Sequence, residues 1–117
     1  MVTASAQIPL PTPKTEIYKA NDFAGLHTEV GRRVTVEGTV VAAGESKTGT
    51  VYYLNFSRER NKTVALVFFA KKMTEPDLKQ KLNNYVGKTV RARGAVAEYR
   101  GSVEIQMSSL EDLQVVP

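Results

Sequence analysis

Residues 87–107 read GKTVRARGAVAEYRGSVEIQM, and the period of this stretch decides the fold. Val90, Ala92, Gly94 and Val96 alternate with Thr89, Arg91, Arg93 and Ala95, so Lys88 to Ala97 has the two-residue period of a strand with one buried face. Glu98-Tyr99-Arg100-Gly101 predicts a tight turn. Ser102 to Ser108 then resumes the alternation, with Val103, Ile105 and Met107 on one side.

Upstream, Leu78, Leu82, Tyr85 and Val86 recur at spacings of about three and four, behind Thr74-Glu75-Pro76-Asp77 and ahead of Gly87. This predicts a 13-residue helix capped by Thr74, with Pro76 and the acids in its first turn. Before it lie two strands, Thr50 to Ser57 and Thr63 to Ala70, joined by the polar loop Arg58–Lys62 and expected to pair as an antiparallel hairpin. Residues 32–43 form a further strand, with Val34, Val36, Gly38 and Val40 on one face and the turn Gly44–Gly49 behind it. Gly38 in mid-strand suggests a bulge or sharp bend. Asp22, Phe23, Leu26 and Val30, ending at Gly31, read as a short capped helix. Prolines 9, 11 and 13 mark an extended arm over residues 1–20, followed by a single domain over 21–117. The tail after Ser109 reads as a short turn plus an extension.

Composition narrows the chemistry. The 117 residues include no Cys and one His, which removes disulfides, thiol catalysis, iron–sulfur clusters and any site built on two imidazoles. No cofactor and no metal site is expected, and no catalytic residue is assigned: the carboxylates are scattered and form no dyad. Gly44 and Gly49 bracket four residues as a phosphate loop would, but Thr50 and Val51 stand where Lys and Ser or Thr are required. No run of about 18 apolar residues exists, so no membrane insertion is expected. Ala4-Ser5-Ala6 would suit a signal-cleavage site, but the basic and apolar regions that precede one are missing. A cytoplasmic location is therefore favoured, with an exported mature fragment as the other reading.

Strand, strand, strand, helix, strand, strand, with a short helix ahead, predicts an all-β domain with minor helix: a five-stranded Greek-key barrel with one helix between strands three and four. The segments Gly31-Arg-Arg-Val-Thr-Val-Glu-Gly38-Thr-Val, Tyr53-Leu-Asn-Phe, Gly87-Lys-Thr-Val-Arg-Ala-Arg-Gly94 and Glu98-Tyr-Arg-Gly101 carry this order. Together they resemble the OB-fold nucleic-acid-binding modules that occur as small bacterial proteins or are appended to enzymes. The resemblance covers residues 31–116, with one departure: such modules often show Pro-Gln-Ile in the final strand, where this chain has Val103-Glu104-Ile105. It implies a ligand crossing strands two and three, between the loops joining strands one to two and four to five.

A single-stranded nucleic acid needs aromatic faces for its bases and cations for its phosphates. With Tyr52, Leu54 and Phe56 inside, Tyr53 and Asn55 point outward. With Val64, Leu66 and Phe68 inside, Ala65, Val67, Phe69 and Lys71 point outward, an assignment that a one-residue bulge would reverse. Lys47 lies in the first loop, Arg58 follows strand two, and Tyr99 and Arg100 form the last turn. Residues 57–72 hold five cations against Glu59, whereas Glu104, Glu111 and Asp112 are the only charges in 104–112, so the formal +4 is unevenly spread. Three candidates have a plainer use as well: Tyr53 could cover a sheet edge, Phe69 could join the core, and Lys71 could simply be solvated. Arg91 and Arg93 are expected to answer Glu37 across a strand pair instead of a ligand. Two readings follow. One is a non-catalytic module for single-stranded DNA or RNA with low sequence preference, using Lys47, Tyr53, Asn55, Arg58, Phe69, Lys71, Tyr99 and Arg100. The other is a protein-interaction or assembly module, with a protein partner or a second copy meeting the arm or the Val67/Phe69 surface.

Overall fold

The computed structural model describes residues 17–59, 63–73 and 75–117. Most of the arm expected over 1–20, the loop cations Arg60 and Lys62, and the cap expected at Thr74 lie outside them. The chain runs β1 (Ile17–Lys19), α1 (Phe23–His27), β2 (Arg33–Thr39), β3 (Ala42–Glu45), β4 (Val51–Asn55), β5 (Ala65–Phe69), α2 (Leu78–Asn83), β6 (Thr89–Tyr99), β7 (Ser102–Met107) and β8 (Leu113–Val115). One sheet holds all eight described strands in the order β1-β2-β6-β7-β5-β4-β3, with β8 added to β6. The β1/β2 and β5/β7 pairs are parallel and the rest antiparallel. The domain is mostly β with two short helices, as expected, and β4 and β5 form the expected antiparallel hairpin.

Five uniform strands are not what forms. The strand expected over 32–43 divides at Val40-Val41, because its two halves follow different neighbours. The Val40 N–H donates to the Lys88 carbonyl before β6 (2.9 Å), and the next N–H, of Val41, donates to the Asn55 carbonyl of β4 (2.8 Å). The path of paired strands is open, with β3 at one end and β1 at the other. Gly38 is not a bulge: it keeps regular register with Val90, and a Cβ there would lie 2.7 Å from the Phe56 ring and 2.9 Å from Ala20 Cβ. Glycine at this position makes room for Phe56. The end of the expected arm is also ordered, since Ile17–Lys19 pairs in parallel with Thr35–Glu37 and the Ala20 carbonyl accepts from Val64 N–H at 3.0 Å.

α1 begins where Asp22 caps it, the carboxylate accepting the Gly25 N–H at 3.0 Å. α2 is six residues long instead of thirteen. Asp77 has φ 54°, a left-handed conformation costly for a non-glycine residue, so the helix cannot start before Leu78. It ends at a run of turn residues closed by Gly87 (φ 90°), whose N–H donates to the Val40 carbonyl at 2.7 Å. Leu78 and Leu82 are the residues it buries. The core they join includes Leu26, Val36, Leu54, Leu66, Phe68, Val90 and Ile105, all essentially inaccessible. No helix is long and apolar enough to cross a membrane among the described residues.

Candidate functional site

Strand alternation builds the candidate face. Leu54 and Phe56 are buried, which turns Tyr53 and Asn55 outward; Val64, Leu66 and Phe68 are buried, which turns Ala65, Val67 and Phe69 outward. The expected parity of both strands is therefore the one that forms. On β7, Val103, Ile105 and Met107 are buried, leaving Ser102, Glu104 and Gln106 on the same outer side. Registers across the sheet order these residues into rows. One row runs Gly44, Tyr53, Val67, Gln106, Ala95, and the next Ala42, Asn55, Ala65, Glu104, Ala97. Strands are spaced about 4.8 Å apart and rows about 7 Å. Small residues at both ends of each row leave Tyr53 as the one ring inside them.

Val67 departs from expectation. It faces outward but is only 2% exposed, in register between Tyr53 and Gln106, so it is a floor for the face and cannot be a contact surface. Phe69 is half-buried, one row beyond Tyr53 and opposite Val51, and the Lys72 ammonium stands 5.4 Å from its ring centroid. That is a cation–π geometry, with one ring contact already in use.

The cations cluster at the two ends of the face. Lys47 is exposed on the turn between β3 and β4, where the Ser46 hydroxyl accepts from the Thr50 and Val51 N–H groups, each at 3.2 Å. After β5 the chain forms a 3-10 turn over Ala70–Lys72, and the Ala70 N–H donates to the Thr50 carbonyl at 2.9 Å. This bond ties Lys71 and Lys72 to the Lys47 turn. At the opposite end Arg58 is exposed just beyond β4, on the side where Tyr99 and Ser102 form the last β6–β7 pair. Arg100 (φ 51°) and Gly101 (φ 80°) make the two-residue hairpin turn that needs positive φ at both positions. Tyr99, 58% exposed, carries the Arg100 guanidinium 5.2 Å from its ring centroid.

All eight sequence-derived candidates thus lie on one outer face or at its ends, with Tyr53, Asn55 and Phe69 in the middle. Arg91 belongs elsewhere, as expected: its Nε donates to Glu37 Oε1 at 2.7 Å on the β2/β6 ladder. Arg93 sits opposite Thr35. Gln106 was not among the candidates, although the alternation of β7 already turns it outward; its place beside Val67 depends on the parallel β5/β7 pairing. Glu104 is half-buried and accepts from Gln106 Nε2 at 3.4 Å, and burial pushes its carboxyl above the ordinary value of 4.5. Lys79 and Glu45 form an exposed ion pair that ties α2 to β3 and raises the ammonium's pKa. No group of three or more metal-ligating side chains is present among the described residues.

No protein-family model and no curated protein matches this sequence. Solved structures do. The chain is similar to an OBody, AM3L15, bound to hen egg-white lysozyme, with 21% identity over 81% of this chain and 91% of that one and a TM-score of 0.57. A second OBody, AM1L10, also bound to hen egg-white lysozyme, matches with 24% identity over 76% and 83% and a TM-score of 0.54. The Stn1-Ten1 complex of S. pombe matches with 14% identity over 72% of this chain and 57% of that one, at a TM-score of 0.54. At these identities the likeness is one of fold, and the fold is OB-like.

Proposed function

We propose that this chain is a non-catalytic OB-fold module that binds single-stranded nucleic acid with low sequence preference across the outer face of β4, β5 and β7. One observation carries the reading: cations at both ends of a single face, with aromatic rings between them. Bases stack on Tyr53, with Phe69 and Tyr99 as flanking platforms, and Lys47, Arg58, Lys71 and Arg100 contact phosphates. Asn55 offers an amide to a base edge. In this reading β2 and β3 are one bent strand that pairs with β6 at its start and β4 at its end, so that five strands close a Greek-key barrel.

Fluorescence anisotropy with a labelled 12-nucleotide single strand tests it. Binding is expected at low salt, and Tyr53→Ala should weaken it by 1–3 kcal/mol, roughly 5- to 150-fold. Absence of binding at low salt, or an affinity unchanged in Tyr53→Ala, refutes the reading.

A protein-binding module is the second reading, supported by the two similar OBodies, each bound to hen egg-white lysozyme. With Val67 buried, the surface it would use is Tyr53, Phe69 and Tyr99. Sedimentation of the full chain against one lacking residues 1–16 tests the arm's part in assembly; identical monomers in both cases speak against a second copy as partner.

A further inference from the structure

Among the described residues of β4, β5 and β7, Glu104 is the single acid, and nothing in the reading above uses it. It lies opposite Ala65 on one side and Ala97 on the other, with Asn55 beyond Ala65. Between Asn55 and Glu104 there is thus a floor about 10 Å wide, two strand spacings, on which, among the described residues of this row, the only side chain is the methyl group of Ala65. That is room for one base laid flat. A phosphate is repelled from a half-buried carboxylate, so a strand crossing here turns a base toward Glu104 and keeps its backbone near the cations at the ends of the face.

We propose that Glu104 makes this position of the bound strand a guanine site. The inference rests on the nucleic-acid reading and names one base-selective position in an otherwise sequence-tolerant track. A carboxylate is an acceptor with two parallel oxygens. Guanine presents N1–H and its N2 amino group side by side on one edge, so it can donate to both oxygens at once, as a guanidinium does. Thymine and uracil place a carbonyl on each side of a single N–H and bring lone pairs against the carboxylate. Cytosine and adenine each offer an amino group beside an acceptor nitrogen, so they make one favourable contact and one unfavourable contact. The single donor Glu104 has within the described residues is Gln106 Nε2, at 3.4 Å, and burial disfavours its charged form; two base N–H groups supply the solvation that the face withholds.

The test uses the full chain and three labelled 12-nucleotide DNA strands, all thymidine except for a central dG, dI or dT. Inosine is guanine without the N2 amino group. The dG strand should bind about tenfold more tightly than the dT strand, within the range of a bidentate side-chain–base contact, and dI should lose most of that gain. Glu104→Gln, close in shape, should bind dG and dT alike and bind dT no more weakly than the parent does. Equal affinity for the three strands in the parent, or a dG preference that survives Glu104→Gln, overturns the guanine site while leaving the nucleic-acid reading intact. Failure of all three strands to bind at low salt overturns both.

Discussion

Gly94→Ala probes the scaffold directly under the candidate face. Gly94 lies on the inner side of β6, and a Cβ there would stand 2.6 Å from the Gln106 carbonyl oxygen, 2.7 Å from Ile105 Cγ2 and 3.2 Å from Met107 Sδ. The Ile105 methyl belongs to a fully buried side chain, and the carbonyl belongs to β7, held to β6 through Ala95–Gln106 and Val96–Ile105. Neither can retreat without disturbing the ladder or the core. Overpacking of this kind costs roughly 1–3 kcal/mol. Replacing glycine also narrows the unfolded ensemble, which returns about 0.4–1 kcal/mol where the native backbone suits alanine. Overpacking is the larger effect, and the net loss is about 1–2 kcal/mol, or roughly 5–10 °C in Tm for a domain near 100 residues. Urea unfolding followed by circular dichroism reads it as a lower midpoint at unchanged slope. Gly44→Ala is the control: among the described residues nothing lies within 4 Å of its Cβ position, so stability should stay within about 0.5 kcal/mol. A Gly94→Ala protein as stable as the parent would refute the claim that β6 and β7 are packed too closely for any side chain at 94. Because Glu104 rides on β7, the same variant should also blunt the preference for the dG strand.

Four phosphate contacts, from Lys47, Arg58, Lys71 and Arg100, give a log–log salt slope of about −2.8 for a single strand, or roughly a 50-fold loss of affinity between 50 and 200 mM salt. Removing one cation from each end, as Lys71→Ala with Arg100→Ala, should halve the slope to about −1.4; an unchanged slope would place the phosphates elsewhere. Arg91→Ala breaks an ion pair with Glu37 in which both side chains are well over a third exposed or close to it, so it should cost only about 0.2–1 kcal/mol and leave affinity unaltered. A larger loss of stability, or any loss of binding, would contradict the separation of that ladder from the candidate face. Glu104 binds its proton more tightly folded than unfolded, so the native state holds more protons in the window just above 4.5 and stability must fall as pH rises through it. Glu104→Gln should flatten that segment of a stability–pH curve, which chemical denaturation at closely spaced pH values measures.

Much of the candidate face was legible because it depends on parity alone. In the runs Tyr52-Tyr53-Leu54-Asn55-Phe56 and Val64 to Phe69 the even positions are apolar or aromatic throughout; Leu54, Phe56, Val64, Leu66 and Phe68 occupy the core and Tyr52 packs against it, half-buried. Arg100-Gly101 announced its turn for a similarly local reason, since a two-residue hairpin needs residues that accept positive φ. The helix expected over 74–86 forms only over Leu78–Asn83. Apolar spacing signals which side of a segment is buried, but it does not reveal that Asp77 takes a left-handed conformation, which depends on how the chain must turn to bring Leu78 and Leu82 onto the core. That Gly38 is no bulge is hidden for the same kind of reason: the ring it accommodates, Phe56, is 18 positions away in sequence.

The sequence by itself determined the fold class of the protein: the alternating segments, the two short capped apolar runs and the glycine-marked turns specify a small, mostly β domain. These properties are local or compositional, so they survive without knowledge of which strands are neighbours. Tertiary structure decided everything that depends on neighbours. Parallel pairing of β5 with β7 put Glu104 and Gln106 beside Ala65 and Val67, and the bond from Ala70 to Thr50 gathered Lys71 and Lys47 at one end. The same pairing buried Val67 on a face that parity had marked as outward. Residues about 40 positions apart were brought within one strand spacing, a distance over which charge, hydrogen bonding and steric cover act strongly and which no period in the sequence encodes.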